Sequence, residues 1–175
     1  MTIGTSNLKV LYSEQEIQRA VTNLAAQLEQ MIQSYNSPVV FVCVLKGAFR
    51  LFSDLVREIK SDHLITVDFI RISSYDHDVQ SEIRLITKPS LESISNKHVF
   101  LIDDIIDSGK TSEYLIHLFT NEYNAKTVEM VSLFSRNKKR ELSAFVLEGS
   151  QFIVGYGMDY NNQFRTLNHI AKVLK

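Results

Sequence analysis

A short apolar run, Val99, Phe100, Leu101 and Ile102, stops abruptly at the adjacent acids Asp103 and Asp104, and a few residues later come Ser108, Gly109, Lys110 and Thr111. No other stretch constrains the fold as strongly. A continuous apolar run of this length suits a central parallel strand covered on both faces. Ile105 and Ile106 can anchor the turn that follows, and residues 108–111 stand where a helix should begin. The start of a helix carries orphan N–H groups and the positive end of the helix dipole, which together favour a bound phosphate. Gly109 lets a ligand approach the backbone closely. Carboxylates beside a phosphate would repel it, so Asp103 and Asp104 instead suit a divalent cation or sugar hydroxyls on the same ligand.

Gly109, Lys110 and Thr111 echo the end of a P-loop, but that motif needs a glycine where Asp104 stands, so the pattern fails. The plainest alternative is a strand that ends in solvated acids, with Asp107 or Ser108 as an ordinary helix cap.

The rest of the chain supplies the frame. Its 175 residues suit one domain, 1–175, with a sizeable core. Ser13 and Glu16 form a capping box, and Ile17, Ala20, Val21, Leu24, Leu28, Met31 and Ile32 recur at helical spacing to about Ser34. Residues 39–45 read as a buried strand that stops at Lys46 and Gly47. Phe49, Phe52, Leu55, Val56 and Ile59 then mark a second amphipathic helix. Strands are expected over 65–73, 83–87, 128–134 and 152–157, and residues 89–97 read as a plain connection. Lysine and glycine after a parallel strand occupy the place where open α/β sheets bind ligands.

Composition excludes several classes. A net charge of -1 provides no general field for nucleic acid or an anionic membrane. Cys43, the single cysteine, lies in an apolar run, so a disulfide framework is excluded and a buried, inert thiol is expected. The histidines have no partners at zinc-site spacing. No basic segment followed by an apolar one opens the chain, and no apolar run reaches the length of a membrane span. The expectation is a cytoplasmic protein without membrane or nucleic-acid partners.

Residues 103–111, DDIIDSGKT, resemble the signature loop of the type I phosphoribosyltransferases, most closely in the hypoxanthine-guanine branch. Leu45, Lys46 and Gly47 match that family's turn at the diphosphate, in which the lysine peptide can be cis. Ser74 and Tyr75 match the pair that begins a mobile loop over the site, although the glycines often found in that loop are absent here. Residues 151–160, QFIVGYGMDY, resemble its base-binding segment. The resemblance implies an α/β fold with a mostly parallel sheet flanked by helices and a small hood.

It also implies roles. Asp107 would be the general base or acid. Lys46, Gly47, Asp103, Asp104, Ser108, Gly109, Lys110, Thr111 and Arg165 would bind 5-phosphoribosyl 1-diphosphate. Phe152 would stack on the purine and the Ile153 carbonyl would read its 2-position. Asp159 would close the purine site and hold a second Mg2+, the first belonging to Asp103 and Asp104. Arg136 stands where the family normally has a lysine that bonds the 6-oxo group, and Asp103 stands where this branch usually has glutamate. The implied activity is purine salvage, by transfer of ribose 5-phosphate to hypoxanthine or guanine, in a homodimer or homotetramer. The arginine raises xanthine preference as an alternative. A regulator that senses the donor and binds nucleic acid is a further alternative, which the net charge does not favour.

Overall fold

The structure is a computed structural model, and it describes residues 7–60, 64–75, 82–136, 142–149 and 151–174. At its centre lies β5 (His98–Ile106), whose residues 98–103 are buried. On one side β5 pairs in parallel with β2 (Val39–Leu45), and on the other with β6 (Thr127–Ser135). β3 (Ile65–Tyr75) adds in parallel beside β2, and β4 (Glu82–Thr87) folds back antiparallel on β3. β7 (Leu142–Val146) extends the far edge, giving the order β4-β3-β2-β5-β6-β7. The mostly parallel sheet expected from the apolar runs is therefore present.

Alternate residues of the central strands feed two apolar layers. Val39, Phe41, Cys43, Phe100 and Ile102 pack against α1 (Glu14–Gln33) and α2 (Phe49–Glu58). Val40, Val42, Val44, Val99 and Leu101 pack against α3 (Leu91–Ile94) and α4 (Lys110–Asn121). Phe41 and Phe100 meet edge to face across the β2–β5 pair, with centroids 5.5 Å apart, a preferred aromatic geometry. The expected capping box on α1 is complete, Ser13 accepting from the Glu16 N–H while the Glu16 carboxylate accepts from the Ser13 N–H. Among the described residues no helix is long and apolar enough to cross a membrane.

A second sheet, β1-β9-β8, forms the small hood from β1 (Leu8–Tyr12), β9 (Ile170–Val173) and β8 (Ile153–Val154). Several expectations need revision. Residues 89–97 contain α3, because Ser90 caps it by accepting from the Ser93 N–H at 3.1 Å. The strand expected over 152–157 is only β8, because Gly155, Tyr156 and Gly157 all take positive φ, at 97°, 48° and 104°, which ends a strand. The short strands β7 and β9 were not expected from the pattern.

Cys43 is fully enclosed in the sheet. Burial, aided by the charges of Asp103 and Asp104, pushes its thiol from 9.0 up to about 12. Because the folded value lies above the unfolded one, the associated stability is fully present below pH 9.0 and is lost as pH rises towards about 12. The native protein at neutral pH should resist thiol reagents and react only when unfolded in urea. Its melting temperature should fall across that alkaline range. Rapid labelling of the native state would contradict the enclosed placement.

Candidate active site

β2 runs into the site with Val39 to Val44 buried, and the chain turns sharply at its end, where the Leu45–Lys46 peptide is cis. Lys46 is exposed at the rim. Gly47 has no space for a side chain, since a Cβ there would run into the Asp104 carboxylate. A Cβ on Gly157 would likewise run into the Gly47 carbonyl oxygen. The β2 turn is thus gripped between the end of β5 and the segment after β8, and three distant parts of the chain meet at one spot.

The acids of β5 lie beside this turn. The Asp103 carboxylate accepts from the Asp104 N–H at 2.9 Å, and the Asp104 carboxylate accepts from the Ile105 N–H at 2.9 Å. Burial of Asp103, followed by the neighbouring Asp104 charge, holds its carboxyl well above the usual carboxylate range. Such a group favours a proton, a cation or a hydroxyl donor beside it. β5 continues through both acids to Ile106, further than the apolar run implied. Residues 107–109 then bend into α4, and its N-cap, Gly109, takes φ 83° and offers no capping side chain. The first-turn N–H groups of α4 lack partners within the helix, as at any helix start, and Ser108 and Thr111 flank Gly109 there. Asp107 stands at the mouth of this site with its side chain 73% exposed.

Arg136 follows β6 and turns back to the same mouth. Its Nε meets the Asp107 carboxylate at 2.9 Å. Its terminal nitrogens donate to the carbonyls of Gly149 and, at 3.1 Å, Gln151. Phe152 comes next, 55% exposed, with its ring edge-on to Tyr160 at 5.5 Å. Ile153 is buried in β8. Further along, Arg165 pairs with Asp159 at 2.5 Å and donates to the Gly157 carbonyl at 2.7 Å. Asp159 also accepts from the Asn162 N–H at 2.6 Å. The backbone of Ser74 and Tyr75 ends β3 opposite Ile83 and Glu82. The loop expected to close over the site lies, from residue 76 to 81, outside the described residues, as do residues 137–141.

A sequence profile of the phosphoribosyl transferase domain matches residues 7–161. The chain belongs to that family. The human hypoxanthine-guanine phosphoribosyltransferase is 38% identical over 149 residues, covering 77% of this chain and 67% of the human one. A solved hypoxanthine-guanine phosphoribosyltransferase from Bacillus anthracis superposes with a TM-score of 0.82 at 32% identity, covering 95% of this chain and 98% of that one. A hypoxanthine phosphoribosyltransferase from Staphylococcus aureus gives 0.83 at 31% identity, covering 97% and 93%.

In this phosphoribosyltransferase the described residues contain no cluster of three or more His, Cys, Asp or Glu side chains able to hold a metal. Magnesium, however, is commonly held by one or two carboxylates plus substrate phosphates and waters. The Asp103–Asp104 pair and Asp159 fit that sparse protein contribution.

Sequence reasoning passed over one assembly behind the site. Tyr156 is buried and donates to Asp54 at 2.5 Å, while Arg50 lies over its ring at 5.0 Å. Arg50 also donates to the Leu167 carbonyl at 2.9 Å and to Asn168 at 3.0 Å. Arg50 and Asp54, one helical turn apart on α2, thus grip the segment bearing Asp159 and Arg165. An aromatic between glycines at 155 and 157 was the available clue.

Replacing Gly157 by alanine combines positive-φ strain with the collision against Gly47. It should cost ~1–3 kcal/mol of stability, the scale for such backbone sites. Urea unfolding of the variant and the parent would check this; equal midpoints would mean that the two backbones are less closely packed.

Proposed function

We propose that this phosphoribosyltransferase acts in purine salvage, transferring the ribose 5-phosphate group of 5-phosphoribosyl 1-diphosphate to hypoxanthine or guanine and releasing diphosphate. The observation that carries this reading is the meeting, at one edge of the sheet, of the β2 turn, the β5 acids, the α4 cradle and the hood segment. The relatives named above support the choice of purine.

Bond making and breaking at the sugar set the demands on the site. Nitrogen 9 of the purine bonds to the anomeric carbon as the bond to diphosphate breaks, and positive charge develops on the ribose ring. The diphosphate carries away the bonding electron pair. Lys46 at the rim and Arg165 beside Gly157 would meet that growing negative charge. Bound magnesium would supply further charge stabilisation of the leaving group, held by Asp103 and Asp104 with Asp159 as a second site. The amides and hydroxyls of Ser108, Gly109, Lys110 and Thr111 clamp the 5'-phosphate, so that the sugar is oriented before reaction. Asp107, at the mouth, takes the proton lost from the imidazole side of the purine. Phe152 offers a face for stacking, the Ile153 carbonyl an acceptor at the 2-position, and Arg136 a cation on the 6-oxo side.

The family's enzymes work on small molecules, and for this chain we propose a homodimer or homotetramer. Phe49, Val56, Val67 and Phe69 on the flank of α2 and β3 are each at least 41% exposed, an apolar strip that a second copy would cover. Sedimentation velocity at micromolar concentration should show a species larger than the monomer; a lone monomer would reject the assembly.

Ultraviolet assays with magnesium and the donor, offering hypoxanthine, guanine, xanthine and adenine in parallel, test the activity. Hypoxanthine and guanine should be turned over; turnover of xanthine alone would re-assign the base. Asp107→Asn should lower turnover at least ~100-fold, the scale of lost proton transfer, with donor binding retained. Near-parental turnover would remove Asp107 from that role.

A further inference from the structure

We propose that Arg136 is a positioning residue, a cross-brace that locks Asp107 to the segment carrying Phe152 before any ligand arrives. The inference rests on the reading above, in which Asp107 handles the proton of a purine lying on Phe152. The distance between those two groups then matters to the reaction, and they come from separate parts of the chain. Asp107 follows β5, whereas Phe152 precedes β8 of the other sheet.

Arg136 ties both. Its backbone N–H donates to the Ile106 carbonyl at 3.0 Å, which seats it beside the residue before Asp107. Its Nε then pairs with the Asp107 carboxylate at 2.9 Å. The terminal nitrogens reach the other way, to the carbonyls of Gly149 and of Gln151, the latter at 3.1 Å and directly preceding Phe152. The guanidinium is planar and rigid, so acceptors on its different edges are held at fixed separation. Its side chain is only 21% exposed, which limits the freedom of the fork.

A lysine could keep the charge and reach one of these groups. A single ammonium on a flexible stem cannot hold a carboxylate on one side and two carbonyls on the other in one geometry. An exposed ion pair alone would add little; the carbonyl contacts turn it into a tie between two sheets. The N–H groups left over on the terminal nitrogens remain available to the purine, so bracing and base contact can share one side chain.

The chain contains no tryptophan, so Phe152→Trp places a single reporter on the platform. Acrylamide quenching of that reporter is measured in ligand-free protein, with Arg136 intact and as Arg136→Lys or Arg136→Gln. Two replacements are used so that a folding failure of one leaves the test standing, and thermal melting checks each. The brace predicts at least ~2-fold greater quenching in both, since neither side chain reproduces the fork. In the background with Phe152 present, Arg136→Lys should lower kcat ~10-fold through misplacement of the acid, while the KM for 5-phosphoribosyl 1-diphosphate stays unchanged.

Unchanged quenching in the folded variants overturns the proposal. A rise in purine KM alone would then leave Arg136 as a ligand contact. Because the quenching needs no substrate, it decides the brace even if the parent enzyme turns over no purine, an outcome that would instead reject the activity.

Discussion

Gly47 lies between the Asp104 carboxylate and the backbone of Gly157, with no room for a methyl group on either glycine, and the rest of the site takes its spacing from that contact. The turn after β2 carries Lys46, the end of β5 carries the acids, and the segment after β8 leads to Asp159 and Arg165. Each belongs to a different part of the fold. Where Gly157 packs on the Gly47 carbonyl, backbone meets backbone, and side-chain rotamers cannot absorb a shift there. The two-sided burial of β2 and β5 then holds the contact against the core.

Charges in the site are arranged in pairs that a ligand can break. Asp107 is paired with Arg136, and Asp159 with Arg165. Partly exposed pairs of this kind contribute little to stability, so their value lies in placement. Under the proposed activity Arg165 would exchange Asp159 for the diphosphate, freeing the carboxylate for a cation. Asp103 is the costly member: its burial beside Asp104 disfavours its charge, and a bound cation or hydroxyl donor would offset that cost.

The hood is attached by side chains instead of a continuous sheet. Arg50 and Asp54 of α2 hold Tyr156 and the carbonyls near Leu167, and α2 begins immediately after the Lys46–Gly47 turn. One helix therefore supports the Lys46–Gly47 turn at its start and the segment from Tyr156 to Asn168 along its side. Tyr156 accepts an unfavourable φ of 48° within this arrangement, as residues near ligand sites often do.

Much of this was legible in the sequence where the controlling interactions are local. The runs at 39–45 and 99–102 predicted buried parallel strands because each side chain there must be enclosed whichever face it takes. The box of Ser13 and Glu16 predicted the start of α1 because its partners lie one turn apart. Residues 103–111 announced the acids at the end of β5 and the start of α4 for the same reason. Reading failed where distant chain segments decide the conformation. Residues 155–157 look like strand, yet bend because Gly157 must fit against Gly47. Nor could spacing show that the donors of Arg136 reach Asp107, Gly149 and Gln151, or that Asp54 receives the Tyr156 hydroxyl. Periodicity and neighbouring residues carry enough information to place the central strands, the first helices and the chemical inventory of the site. Which acids and cations face one another is set by how the two sheets pack, and no local pattern encodes that.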